Sequence, residues 1–346
     1  MDLVANPAVD PHVLVPGEGP IDEKMASLGI PTSLFDFGEI ENVHRPFNLR
    51  KGLAAARDTV SAVRRLLRIC AQHRIDIVHS NGLKPHVVSA LARRVGGPPA
   101  VAHIRDIPFT SAEKAVWRLL RRGADRLILV SRACWPDEKL PRNVAVIHNG
   151  VDISAIALRE FRPASPLRIG FIGRIDAAKG LHLLLAWIAE GRRSGLEPRL
   201  IVRGRFDNDA YRDQIEAQIT RLGMQGQVDF QGFIADAGAV YADIDVVCVP
   251  SHVPDPLPRS VMEPMARGIP VIAYPAGGIL DMVEHRQTGF LARDAGEFLA
   301  AVSSIQSDLS ITREIAANAR SRIETSFCLE SAYRSLDKIY LDLTQS

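Results

Sequence analysis

Residues 167–191 read LRIGFIGRIDAAKGLHLLLAWIAEG, an apolar run, a glycine-bearing loop and then a segment of periodic apolar residues. Ile169, Gly170, Phe171 and Ile172 form the continuous apolar stretch of a strand buried on both faces. From Leu181 the apolar residues recur at Leu184, Leu185 and Ile188, the spacing of a helix with one buried face. Strand, short loop and helix in that order is the repeating unit of a parallel α/β sheet. Such a loop offers backbone N–H groups at a helix start, and Arg174 with Lys179 adds two positive charges, so a diphosphate suits it. The plainer reading gives the glycines to turn geometry and the cations to solubility, and the loop alone does not decide between them.

The same alternation runs outward in both directions. Strands are predicted at 199–202, 228–230, 246–249, 271–273 and 289–291 on one side. On the other they fall at 12–15, 75–79, 99–103, 126–130 and 144–147, with helical patterns at 52–73 and 85–95. Two α/β series within 346 residues predict two domains, 1–160 and 161–325. The irregular, proline-containing stretch 152–166 reads as the hinge between them. A last helix in 326–346 either closes the second domain or crosses back onto the first. Doubly wound sheets bind ligands beyond the carboxyl ends of their strands, so two such domains facing each other predict a cleft there.

Composition narrows the function. The chain is 47% hydrophobic, 24% charged and 6% aromatic, a globular profile. A net charge of +2 and basic residues without interleaved aromatics argue against nucleic acid. Arginines do gather at Arg64, Arg65 and Arg68 and again at Arg118, Arg121, Arg122 and Arg126. Those clusters read as solvated helix faces, or else as attraction to an anionic membrane surface. No run approaches the roughly 18 apolar residues of a spanning helix, and the start lacks a secretory pattern, so a cytoplasmic location is expected. Cys70, Cys134, Cys248 and Cys328 lack metal-site spacing and read as buried free thiols.

A second motif follows the strand at 246–249: residues 250–270, PSHVPDPLPRSVMEPMARGIP. Pro254, Pro256 and Pro258 force an extended path, placing Asp255 on a loop ahead of a helix and Glu263 two turns in. Carboxylates there accept hydrogen bonds from sugar hydroxyls; a capped proline-rich loop is the bland alternative. Asp255, seven further residues, Glu263 and then Met-Ala-x-Gly-x-Pro-Val resemble the signature of glycosyltransferase family 4. In the family's order stand His148-Asn149-Gly150, Gly173-Arg174 with Lys179, Gly232-Phe233, Pro250-Ser251, and Gly277-Gly278 with Asp281.

The resemblance implies the GT-B architecture and retaining transfer from a nucleoside-diphosphate sugar to a glycan or lipid-linked acceptor, with no metal or other cofactor required. It implies that Arg174 and Lys179 hold the diphosphate, that Asp255 and the backbone at Leu257 hold the donor sugar, and that Glu263 holds the ribose. Gly173, Gly232 and Phe233 complete the nucleotide site, and His103 reaches the donor sugar from the first domain, with Arg105 as the alternative at that position. Asp243-Ile-Asp245 looks like the metal motif of another glycosyltransferase architecture but precedes a strand, and is read as structural. The sequence departs from the family at three places: Asp255 stands where Glu is commoner, Pro264 where Ala is usual, and the opening strand, glycine-rich loop and helix are not evident before residue 12. That last departure leaves a second reading, a truncated or degenerate homologue that binds without turnover. A nicotinamide oxidoreductase is disfavoured, since no GxGxxG follows a first strand.

Overall fold

The computed structural model describes residues 6–37 and 49–345; residues 1–5, 38–48 and 346 lie outside that description. The chain divides into two compact units. One takes the described residues through Val130, Cys134–Ile147 and the chain from Tyr333; the other takes Ser131–Ala133 and His148–Ala332.

The first unit contains β1 (Val13–Val15), α1 (Pro20–Ser27) and β2 (Thr32–Leu34), then α2 (Leu49–Gln72), β3 (Val78–Asn81), α3 (Leu83–Arg94) and β4 (Ala100–Ile104). It continues with α4 (Ser111–Gly123), β5 (Arg126–Leu129) and β6 (Val144–Val146). All its strand pairs are parallel, but they form two sheets, β1-β2 and β3-β4-β5-β6. Every residue of β4 is buried, which is why 99–102 reads as an apolar run leading into His103. The helix α4 starts on a capping box: Thr110 accepts from the Glu113 N–H while the Glu113 carboxylate accepts from the Thr110 N–H. One small core gathers Phe35, Val63, Leu66, Cys70 and Val88, with Leu14 and Val78 packed against it.

The second unit runs β7 (Arg168–Ile172), α5 (Leu181–Arg192), β8 (Arg199–Arg203), α6 (Asp209–Leu222), β9 (Val228–Gly232), β10 (Val246–Val249), α7 (Arg259–Ala266) and β11 (Val271–Ala273). It ends with α8 (Ile279–Met282), β12 (Phe290–Leu291), α9 (Ala295–Ser307), α10 (Leu309–Ser326) and the start of α11 (Leu329–Thr344). Its six parallel strands lie in the order β12-β11-β10-β7-β8-β9. Counted from the first strand, that is the doubly wound order in which chain direction across the sheet reverses between β7 and β10. The core beneath them buries Ile169, Leu181, Leu184, Leu185, Ile188, Val246 and Phe298. Each such side chain contributes about 1.5–3 kcal/mol when fully buried.

Three expectations need correction. The division falls at Ile147 and His148, not inside 152–166. That stretch is tied down within the second unit: Val151 bridges Cys328, and the Arg159 N–H donates to the Arg267 carbonyl. The strand expected at 75–79 is β3, shifted to Val78–Asn81, because Ile75 still caps α2 through its N–H to the Cys70 carbonyl. The first unit also holds α1 and β2, which the periodicity did not predict. All four cysteines are free and buried.

Candidate active site

Parallel β7 and β10 are direct neighbours, so the loops after them emerge side by side at the switch point of the sheet. The first loop carries Gly173, Arg174, Asp176 and Lys179; the second carries Ser251 and Asp255. Lys179 Nζ and Asp255 Oδ2 meet across them at 2.5 Å, joining positions 76 residues apart. Both side chains keep about a quarter of their surface exposed, at 26% and 21%, so a ligand can still reach the pair. The approach depends on Gly180, whose φ of +77° starts α5. A Cβ there would stand 2.2 Å from the Pro250 carbonyl.

The Asp255 loop is held from both sides. Asp255 Oδ1 accepts from the Leu257 N–H at 3.1 Å, and the Asp255 carbonyl accepts from the Gly278 N–H at 2.8 Å. Gly277 and Gly278 allow this approach, since a Cβ would lie 2.3 Å from the Asp255 carbonyl oxygen at the former and 1.8 Å from that of Pro256 at the latter. From Arg259 the chain enters α7, whose second turn presents Glu263. Its carboxylate accepts from the Tyr241 hydroxyl at 3.0 Å and from Arg259 Nε at 2.7 Å. Tyr241 is 2% exposed and lies under the Arg267 guanidinium. Burial, and then the Glu263 charge, push its hydroxyl pKa well up, so it remains a donor. Pro264 sits inside α7 and supplies no N–H to the preceding turn, and the helix ends two residues later at Ala266.

Arg174 turns its Nε to Asp176 Oδ2 at 2.6 Å while the side chain stays 63% exposed. The other Asp176 oxygen accepts from the Lys179 backbone N–H at 3.0 Å, so one carboxylate both orients the Arg174 side chain and caps the turn that carries Lys179. Gly173, at φ +133°, donates its N–H to the Arg203 carbonyl. At the end of β9, Gly232 takes φ +69°, and Phe233 stands 61% exposed with the Arg205 guanidinium 4.8 Å over its ring. The Asp243/Asp245 pair is structural: Asp245 is fully buried and receives both Arg168 Nη2, at 2.8 Å, and the Arg168 N–H, at 2.9 Å.

In the first unit, His103 lies within β4 at 2% exposure, its Nδ1 3.2 Å from His79 Nε2. Burial, then His79 and Arg105, hold its pKa well below the usual imidazole range. Arg105 follows the strand. Of the basic clusters, Arg118 pairs with Asp137 and Arg65 bonds the Asp36 carbonyl.

The structure thus joins Lys179 to Asp255 and sets Arg174 on the same loop, while Glu263 has a separate set of partners. Asp176 and Tyr241 were not singled out from sequence. Asp176 was findable, because an acidic residue three before Lys179 is a capping spacing. Tyr241 had no such signal.

A doubly wound sheet with a cation and a carboxylate paired at its switch point suits a ligand bound beyond the strand ends, and family comparison gives the class. The model for "Glycosyl transferases group 1" matches residues 157–322 and that for "Glycosyltransferase Family 4" matches residues 6–155; the chain belongs to these glycosyltransferases. It is 28% identical over 206 residues to the putative colanic acid biosynthesis glycosyltransferase WcaL of Escherichia coli, covering 56% of this chain but only half, 50%, of that protein. A Methanocaldococcus jannaschii glycosyltransferase is 22% identical across 88% of this chain and 87% of its own. Among solved structures, Anabaena Alr3699/HepE in complex with UDP superposes with a TM-score of 0.80 at 25% identity, covering 99% of this chain and 94% of that one. The same Anabaena protein is also known with UDP-glucose bound.

Proposed function

We propose that the chain moves a sugar, with retention of anomeric configuration, from a nucleoside-diphosphate sugar to a glycan or lipid-linked acceptor. The observation that supports this is the Lys179–Asp255 ion pair at the switch point, which sets a cation able to meet a phosphate beside a carboxylate able to accept from sugar hydroxyls. In this reading Arg174 and Lys179 take the diphosphate and offset the charge that grows on it as the glycosidic bond breaks. Loss of one such contact costs about 100- to 1000-fold in rate. Asp255 and the Leu257 N–H hold the sugar hydroxyls. Glu263, held open by Tyr241 and Arg259, accepts from the ribose hydroxyls, and the base lies near Gly232 and Phe233. His103 contributes a contact to the donor sugar. With two cations supplying the charge, the reading needs no metal ion. The UDP and UDP-glucose complexes of the Anabaena protein support a nucleotide-sugar donor.

The proposed location is cytoplasmic. On α4, Leu119 is 64% exposed beside the exposed Arg118 and Arg122, a surface suited to peripheral contact with the inner face of a membrane. No helix among the described residues is long and apolar enough to cross one.

The test is thermal unfolding with a panel of UDP-, GDP- and ADP-sugars. A donor at 100 times its Kd stabilises the folded state by about 2.7 kcal/mol. One nucleotide should raise the wild-type midpoint, and Lys179→Ala and Glu263→Ala should each abolish the rise. A folded wild type that ignores every nucleotide sugar overturns the reading. Binding without transfer to any glycan acceptor favours the degenerate homologue instead.

A further inference from the structure

Three side chains of the first unit form a chain that no sequence motif marks. The Tyr340 hydroxyl on α11 lies 2.6 Å from His79 Nδ1, and His79 Nε2 lies 3.2 Å from His103 Nδ1. The histidine rings are tilted by 59° with centroids 5.3 Å apart, and Tyr340 meets His79 nearly edge-on. His103 is 2% exposed, yet its Nε2 has no hydrogen-bond partner among the described residues. A buried polar atom left open in an otherwise paired network is a place where a ligand atom completes the bonding.

The direction of the protons follows from bonding capacity. Burial, then the Arg105 charge, bring the His79 pKa down to about 4, and burial, then His79 and Arg105, hold that of His103 well below the usual imidazole range, so both rings are neutral near pH 7. A neutral imidazole has one N–H and one lone pair. Tyr340 keeps its proton, since burial and then Asp337 raise its pKa to about 12. The only acceptor its hydroxyl meets among the described residues is His79 Nδ1. His79 Nδ1 therefore accepts, which puts the His79 proton on Nε2, facing His103 Nδ1. His103 Nδ1 accepts in turn, which puts its own proton on the open Nε2.

We infer that Tyr340 and His79 are positioning residues that lock His103 in the Nε2–H tautomer, so that His103 presents a neutral hydrogen-bond donor to an oxygen of a bound ligand. Only the identity of that ligand, an oxygen of the donor sugar, rests on the transferase reading. A tautomer fixed this way reaches the ligand without proton rearrangement. The reverse orientation would leave the tyrosine proton without an acceptor and give His103 an open lone pair facing the ligand.

The experiment uses the ligand-free full chain with ¹⁵N-labelled histidine, reading two-bond ¹H–¹⁵N correlations, with signals assigned by the loss of single resonances in His79→Gln and His103→Gln. The expected result is a pyridine-like Nδ1 and a pyrrole-like Nε2 for both residues, and a mixed pattern at both in Tyr340→Phe. An Nδ1–H form of His103 in the wild type, or an unchanged pattern in Tyr340→Phe, overturns the inference. This readout needs no nucleotide, so it stands or falls independently of the donor assignment. Where transfer is measurable, Tyr340→Phe should lower kcat by about tenfold and leave the donor KM within about twofold. An unchanged kcat would show that the tautomer is not used in turnover and would also overturn the functional half of the inference.

Discussion

Acidification from pH 7 to pH 5 should destabilise the first unit by several kcal/mol. His79 and His86 titrate near 4 in the folded chain, His86 because of burial and then the His79 charge, against about 6.5 when unfolded. Between those values the unfolded state binds the protons that the folded state refuses, so stability is fully present above about 6.5 and falls as the pH drops toward 4. Integrating that difference from pH 7 to pH 5 gives about 2 kcal/mol per histidine, or about 4 kcal/mol for the pair. That is a large share of the 5–15 kcal/mol typical of a domain. Carboxylates held low in the folded chain, such as Asp137 and Asp229, act in a lower window, whereas burial also lowers the pKa values of His12 and His103 in the first unit and His182 in the second, which act in the same direction. The assay is urea unfolding followed by tryptophan fluorescence in a Trp187→Phe background. That change leaves Trp117 and Trp135, both in the first unit, as the reporters. A free energy of unfolding at pH 5 within about 1 kcal/mol of the pH 7 value would refute the reasoning, because the buried imidazoles would then not be held neutral.

Two further substitutions probe the second unit. Asp245→Ala strands Arg168 and two backbone N–H groups, and should cost about 3–5 kcal/mol in urea unfolding, with nucleotide affinity in the surviving folded fraction unchanged. Gly180→Ala forces a left-handed backbone and a clash with the Pro250 carbonyl; it should destabilise by at least about 2 kcal/mol and weaken nucleotide binding as well, since Lys179 is the neighbouring residue.

The second unit was legible in the sequence because its central strands β7, β8, β10 and β11 are largely buried and leave apolar runs, whereas the edge strand β9 is half-buried to exposed. Val246–Val249 and Val271–Ala273 fall where they were expected, and the others shift by a residue or two. The first unit was harder. β1 was readable at 12–15, but β2 is three residues long with none of them buried, and α1 buries Met25 alone, so neither apolar period has room to register in those two elements. In the site, the positions of Arg174, Lys179, Asp255 and Glu263 after particular strands were readable, because motif spacing is local. Their partners were not. The union of Lys179 with Asp255, of Glu263 with Tyr241 and of His79 with Tyr340 spans 76, 22 and 261 positions, and only strand order decides which loops become neighbours.

The burial of the four thiols has a use in the laboratory. Cys70 and Cys248 are shielded from reagents by their neighbours, and burial raises their pKa values, which keeps them out of the thiolate form that alkylating dyes attack. Cys134 and Cys328 are equally enclosed. A cysteine introduced at an exposed position such as Leu158 or Asp209 would therefore react far ahead of the native ones, and the wild-type background can carry fluorophores or spin labels without first being stripped of its own sulfur.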